Sequence, residues 1–414
     1  MGTSQETLER PDNPLQEQPG GPQPRVNPDA DPRAHVLYII DVFKGIHAGG
    51  AERSLVSITH HLPADRFRCS VAILGRDPAP ETEEIFGCPV HLLPLRRTYN
   101  WSAAKTAWQL RSLIRSENVS IVHTFFETSD LWGGGVARLS GCPLVVSSRR
   151  DMGIFRKPKH DLAYKVFGPH MDLVLTVSDQ VRTHTIARDG MRPDKVVTLH
   201  NGISTARFDE PCDRAALRSA LALDAASPVI CTVGNIRHVK AFDIFIRAAA
   251  RVTRIFPQAV FLIVGYNDDE SCRTELENLV TELNLSRNVF FVGGHSEVAP
   301  FLKLSDIFCL LSRSEGFSVA LLEAMACSLP CVATRVGGNA EAVAENQTGF
   351  LVESEDVEGA ADRILRLLRD PDRARQMGAA GRQAVEQDFS VEKMVRKLTG
   401  LYDHLLQEKG ISQC

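Results

Sequence analysis

From residue 35 onward, short runs of apolar, β-branched residues alternate with longer stretches whose apolar positions recur every three or four residues. The runs HVLYIID, RCSVAIL, PVHLLPL, VSIVHTF, PLVVSSR, DLVLTVS and KVVTLHN read as buried strands. Between them, AERSLVSITHHL and WSAAKTAWQLRSLIRS carry the helical period. The pattern then restarts with SPVICTVGN, AVFLIVG, NVFFVGG, DIFCLLS, LPCVATR and GFLVE. Continuous apolar strands separated by amphipathic helices predict parallel sheets covered on both faces. The chain is therefore expected to form two doubly wound, Rossmann-like α/β domains, residues 34–205 and 206–390, facing a central cleft. Its last amphipathic stretch, residues 391–414, is placed as a helix able to pack back on the first domain.

Length supports this division, because 414 residues exceed what one core usually holds. Residues 1–33 hold seven of the 22 prolines and almost no aliphatic clusters, and are expected to form a disordered tail. A net charge of −4 gives no reason to expect nucleic acid as a partner. The ten cysteines are scattered, with no CxxC spacing for zinc, which suits a reducing cytosol. No apolar run reaches the roughly 18 residues of a membrane span, and the N-terminus lacks a leader pattern, so a cytoplasmic protein is expected.

Candidate chemistry gathers at the carboxyl ends of the predicted strands, where doubly wound sheets bind ligands. After the first strand comes GGAERS, in which Gly49 and Gly50 permit a close backbone approach and a helix opens whose free amides suit a phosphate. An ordinary strand-to-helix connection explains the same residues. In VGNIRHVK, Arg237 and Lys240 follow a strand and suit a diphosphate, the alternative being two solvated loop cations. In SEGFSVALLEAMA, Glu315 lies in a loop and Glu323 about two turns into the following helix, with the amides of Gly316, Phe317 and Ser318 between them. Two carboxylates flanking a phosphate-binding helix start are placed to accept sugar hydroxyls, Glu315 from a hexose and Glu323 from a ribose.

The segment SEGFSVALLEAMACSLPCVAT resembles the E-x7-E signature of retaining glycosyltransferases with the B-type two-domain fold, particularly family 4. The likeness extends to GGAERS, LHNGIS at 199–204, GNIRHVK at 234–240 and GFLVE at 349–353. It implies transfer of a hexose from a nucleoside diphosphate sugar, such as a UDP-hexose, to a saccharide or lipid-linked hydroxyl, with that sugar as co-substrate and no cofactor. By the same resemblance Glu323 holds the ribose, Glu315 faces the transferred sugar, Arg237 and Lys240 bind the diphosphate, and the Gly50 turn closes over it. The base rests near Val292 and Gly293. Many relatives carry His-x-His after the fourth strand, whereas this chain has His123 with Phe125 in the second position. His123 is accordingly either a contact to the reacting sugar or a structural residue.

Two stretches remain. SSRRDMGIFRKPKHD holds Arg149, Arg150, Arg156, Lys157 and Lys159, which fit an anionic acceptor, the phosphates of a lipid-linked one at the inner membrane face, or a solvated loop. Asp268, Asp269 and Glu270 fit either a divalent cation or, preferably, the opening of a helix. No metal is expected, because Arg237, Lys240 and helix amides already supply positive charge. An epimerase on this fold would need an acid/base set that the sequence does not present. A subunit that only binds nucleotide sugar sits poorly with Glu315, Glu323, Arg237 and Lys240 all intact.

Overall fold

In the computed structural model, which describes residues 31–45, 49–75, 81–95, 97–154 and 156–411, every strand pairs in parallel. The first sheet contains β1 (Ala34–Ile40), β2 (Phe67–Ile73), β3 (Val90–Leu92), β4 (Val119–Phe125), β5 (Leu144–Arg149), β6 (Leu173–Thr176) and β7 (Val196–Thr198). Their order is β3-β2-β1-β4-β5-β6-β7. The second sheet contains β8 (Val229–Val233), β9 (Val260–Val264), β10 (Val289–Gly293), β11 (Ile307–Leu310), β12 (Cys331–Thr334) and β13 (Gly349–Val352), in the order β10-β9-β8-β11-β12-β13. Residues 1–30 of the expected Pro-rich tail lie outside the described residues.

Both sheets are buried on both faces, which is why their strands read as unbroken apolar runs: all seven residues of β1 are buried. One face of the first sheet packs against the helices Gly50–His61 and Val391–Glu408, and the other against Trp101–Ser116 and Gly134–Leu139. The C-terminal helix Val391–Glu408 thus belongs to the first domain's core. Its Met394, Val395, Leu398, Tyr402 and Leu406 are buried with Val36, Tyr38 and Leu173. Each such aliphatic side chain contributes about 1.5–3 kcal/mol by leaving water.

The chain crosses between domains twice, and the crossings touch. Ile203 N donates to the Phe389 carbonyl at 3.0 Å, and Val391 N donates to the Ile203 carbonyl at 3.1 Å. In each sheet the strand order reverses once, between β1 and β4 and between β8 and β11. Loops leaving the carboxyl ends of strands at such a point diverge and open a crevice. The two crevices face each other within one compact unit, Arg33–Cys414.

Candidate functional site

A cavity of about 560 Å³ occupies this cleft, a size within the range that holds small ligands. Its walls come from the segments that follow β1, β4, β5, β8, β9, β10 and β11. From the first domain, the loop after β1 supplies Gly49, Gly50 and Arg53. Glu52 organises that loop: its carboxylate accepts from Gly49 N at 2.6 Å and Lys44 N at 3.0 Å, closing the start of the Gly50–His61 helix. Burial raises the Glu52 pKa above the ordinary value, against the pull of those amides and of Lys44. A Cβ at Gly50 would stand 3.3 Å from a Val319 methyl of the second domain, a tight contact to which Val319 would have to yield, so glycine eases the approach of the two domains here.

From the second domain come Arg237 and Lys240. Lys240 Nζ donates to Glu315 Oε1 at 2.7 Å, and Ser312 Oγ donates to the same oxygen at 2.7 Å. Arg237 donates to Asp268, which also accepts from Asn235 at 3.0 Å and lies 3.7 Å from Lys44. Burial opposes ionisation of Asp268, yet the hydrogen bonds from Asn235 and Arg237 and the charges of Arg237 and Lys44 outweigh it and lower its pKa. The acids at 268–270 thus divide. Asp268 anchors Arg237, while Asp269 caps the Glu270–Glu282 helix through a 3.1 Å bond from Cys272 N. Among the described residues, no group of three His, Cys, Asp or Glu side chains could hold a metal ion.

Glu323 lines the cavity with only 2% of its surface exposed, between Arg53 at 3.5 Å and Arg207, to which it is also bonded. The helix Val319–Ala326 starts later than expected, so Glu323 lies about one turn inside it rather than two. Val319 and Ala320, at its amino end, line the cavity, whereas Gly316, Phe317 and Ser318 stand behind them. The Phe317 ring packs in the core against His200 and Phe389. Glu315 also sits behind the wall, reaching the cavity through Lys240. A Cβ on Gly316 would fall 2.1 Å from the Arg150 carbonyl oxygen, so this loop too requires glycine where the domains meet.

A second cavity, about 260 Å³, adjoins the first, and Asp41, Phe126 and Asp151 line both. Asp41 accepts from Thr128 N at 3.0 Å and Ser129 N at 2.6 Å; burial nonetheless raises its pKa. Phe126 holds a left-handed backbone, φ 75°, a strain of about 1–3 kcal/mol of the kind that collects at binding sites.

Family comparisons agree with this geometry. The description "Glycosyltransferase Family 4" matches residues 48–207 and "Glycosyl transferases group 1" matches 213–384, one on each domain. A GDP-mannose-dependent monoacylated alpha-(1-6)-phosphatidylinositol monomannoside mannosyltransferase of Corynebacterium glutamicum is 30% identical over 309 residues, 72% of this chain and 79% of its own. The chain belongs to the family 4 glycosyltransferases. The N-acetyl-alpha-D-glucosaminyl L-malate synthase of Bacillus anthracis is 33% identical over 239 residues, 57% of this chain and 61% of that protein's length. Anabaena Alr3699/HepE, solved in complex with UDP-glucose, superposes with a TM-score of 0.79 at 20% identity, covering 89% of this chain and 99% of that one. This likeness shows the B-type fold.

Within this family 4 glycosyltransferase, several expected site residues stand elsewhere. His123 is buried on β4, its ring nitrogens 2.5 Å from the Tyr402 hydroxyl and 2.8 Å from Ser148 Oγ. It points to the sheet face covered by the C-terminal helix, not to the cleft, and burial with the Arg150 charge lowers its pKa to about 3. Its place is thus structural, and it lines neither cavity. Gly293 closes β10, where its carbonyl accepts from Gly265 N at 2.9 Å; Gly265, Tyr266 and His295 face the cavity in its place. Arg149 is not an exposed cation. It is buried against Asp130 and lies 3.9 Å from the Tyr164 ring centroid, as does Arg156, which bonds Asp189 at 2.7 Å. Arg150 lines the smaller cavity and donates to Asn201; burial lowers its pKa to about 10.

Sequence reasoning missed Asp41, Glu52, Arg53 and Arg207. The acid three residues after Gly49 in GGAERS is a capping signal that would have found Glu52. No local signal marks Arg207.

Proposed function

We propose that this glycosyltransferase moves a hexose from a nucleoside diphosphate sugar to a hydroxyl of a saccharide or lipid-linked acceptor, retaining the anomeric configuration. The observation that carries this reading is the convergence of Arg237, Lys240 and the amino end of the Val319–Ala326 helix on one cavity wall, with the buried carboxylate of Glu323 beside them. Arg237, Lys240 and the helix amides take up charge on the departing diphosphate, the largest kind of stabilisation such sites supply. Glu323 accepts the ribose hydroxyls, and Glu315 sets the position of Lys240.

The hexose then reaches toward the junction of the two cavities, and the acceptor enters the smaller one. The bond from the anomeric carbon to the diphosphate breaks as the bond to the acceptor oxygen forms on the same face. The acceptor proton passes to the leaving phosphate oxygen, and Asp41 orients the acceptor hydroxyl. Positive charge from two side chains and a helix end makes a divalent cation redundant. Closure of the domains excludes water as a competing acceptor. The donor class is supported by the relative that uses GDP-mannose and by the structural neighbour holding UDP-glucose. The lipid-linked acceptor class is supported by the phosphatidylinositol mannoside named for the former.

Incubating the chain with UDP- and GDP-hexoses tests the reading. Release of nucleoside diphosphate that rises with added acceptor supports it. A new epimer of the intact donor, or binding without turnover, contradicts it.

A further inference from the structure

Two tryptophans of the Trp101–Ser116 helix face solvent: Trp101 is 93% exposed and Trp108 68%. Seven residues make about two turns, so they share one stripe of the helix, with Lys105 and Ser112 also exposed along it and Leu110 and Ile114 buried on the other side. Tyr99, just before the helix, is exposed as well. A second helix, Pro158–Phe167, repeats the arrangement: it buries Tyr164 and exposes Leu162 (65%), Val166 and Phe167 among Lys157, Lys159 and Lys165.

These helices belong to one layer. The first packs on Gly134–Leu139 and the second on the adjoining Ser129–Gly133 turn. Each begins beyond the carboxyl end of a strand, β3 or β5, the end of the sheet from which the cleft-lining segments also leave. Nearby acids are already engaged: Asp161 pairs with Arg188 at 3.0 Å and Glu127 with His160 at 2.5 Å. Lys105, Lys157, Lys159 and Lys165 have no ion-pair partner among the described residues. The face is basic although the whole chain carries −4.

We infer that this face docks on an anionic phospholipid bilayer, with Tyr99, Trp101, Trp108, Leu162 and Val166 entering the headgroup boundary and the lysines over lipid phosphates. Exposed aromatic side chains interleaved with lysines suit the membrane interface, where rings sit at headgroup level and ammonium groups stay in water. A protein partner fits less well, because the centres of protein interfaces are depleted of lysine. Docking brings this layer of the first domain to the lipid surface; only the benefit for a lipid-linked acceptor rests on the proposed reaction.

The test uses the full chain and vesicles, without donor or acceptor, so its failure is distinct from failure of the catalytic reading. The chain should sediment with vesicles of phosphatidylcholine mixed with phosphatidylglycerol but not with phosphatidylcholine alone, and salt should release it. Trp101→Ser with Trp108→Ser should lower the partition coefficient at least about tenfold. Lys105→Ala with Lys165→Ala should lower it about thirtyfold, at about fivefold for each cation lost. Both variants should keep wild-type melting temperatures and donor binding, since all four side chains are exposed. Absence of binding to the anionic vesicles, or binding that ignores both double variants, would overturn the inference. So would a dimer in solution that the tryptophan substitutions dissociate.

Discussion

Replacing Arg237 by alanine separates its two roles, because the structure makes one small and the other large. As a folding element Arg237 is half exposed, and its partner Asp268, itself largely covered, keeps Asn235 and Lys44 when Arg237 is lost. With its arginine open to solvent, such a pair contributes about 0–1 kcal/mol. At about 2–4 °C per kcal/mol for a domain of this size, the melting temperature should fall by no more than about 4 °C. As a diphosphate ligand its loss removes a preorganised cation from the departing charge, a deletion that costs about 2.7–4 kcal/mol, or 10²–10³ in kcat. Lys240 and the helix amides remain, so the lower end, about a hundredfold, is expected. Arg237→Lys should fall between, keeping the charge but losing the planar fork. Nucleoside diphosphate release gives kcat, and thermal unfolding followed by circular dichroism gives stability. Turnover within about threefold of wild type, with an unchanged melting temperature, would reduce Arg237 to a solvated loop cation and refute the reasoning.

Gly316→Ala places a methyl group 2.1 Å from the Arg150 carbonyl; overpacking should cost about 1–3 kcal/mol and lower both melting temperature and turnover, whereas wild-type values would show that the loop has room. Glu323→Gln keeps an oxygen for the ribose but removes the counter-charge of Arg53 and Arg207, so the donor KM should rise, and an unchanged KM would remove Glu323 from the donor site. His123→Gln should leave turnover within a few-fold while lowering stability by about 1–3 kcal/mol, because Tyr402 and Ser148 lose a buried partner. Folding depresses the His123 pKa from 6.5 to about 3. The unfolded chain therefore binds more protons between these values, and stability is full above about pH 6.5 and falls as pH drops toward 3. Urea unfolding at neutral and acidic pH should show that slope in the wild type and a flatter one in His123→Gln. Asp269→Ala should cost about 1 kcal/mol as a lost helix cap without abolishing transfer, and transfer should persist in excess chelator; loss on chelation with recovery on Mn²⁺ would redraw the site around residues 268–270.

The strands were legible because burial on both faces of a parallel sheet writes them as uninterrupted apolar runs. VSIVHTF coincides with β4 residue for residue. Arg237, Lys240 and Glu323 were legible because fold geometry sends strand ends to the cleft, so position along the chain carries position in space. What failed depended on contacts between distant segments. Arg53 and Arg207 meet Glu323 across 270 and 116 residues. The face that His123 occupies is set by the C-terminal helix, whose Tyr402 lies 279 residues away. Arg149 turns inward because Asp130 and Tyr164 wait there. A basic run seen in sequence gives no sign of that. Gly293 does not line the cavity; it ends β10, whose pairing with β9 shifts register just before it.

The most direct test of the account is the configuration of the product formed from an α-linked nucleoside diphosphate hexose, read by the one-bond carbon–hydrogen coupling at the anomeric centre. The wild type should yield an α-linked product, and Arg237→Ala and Glu323→Gln should each yield far less of the same product. A β-linked product, or an α-linked product whose formation neither substitution diminishes, would contradict the assignment of this cleft as the site of retaining hexosyl transfer.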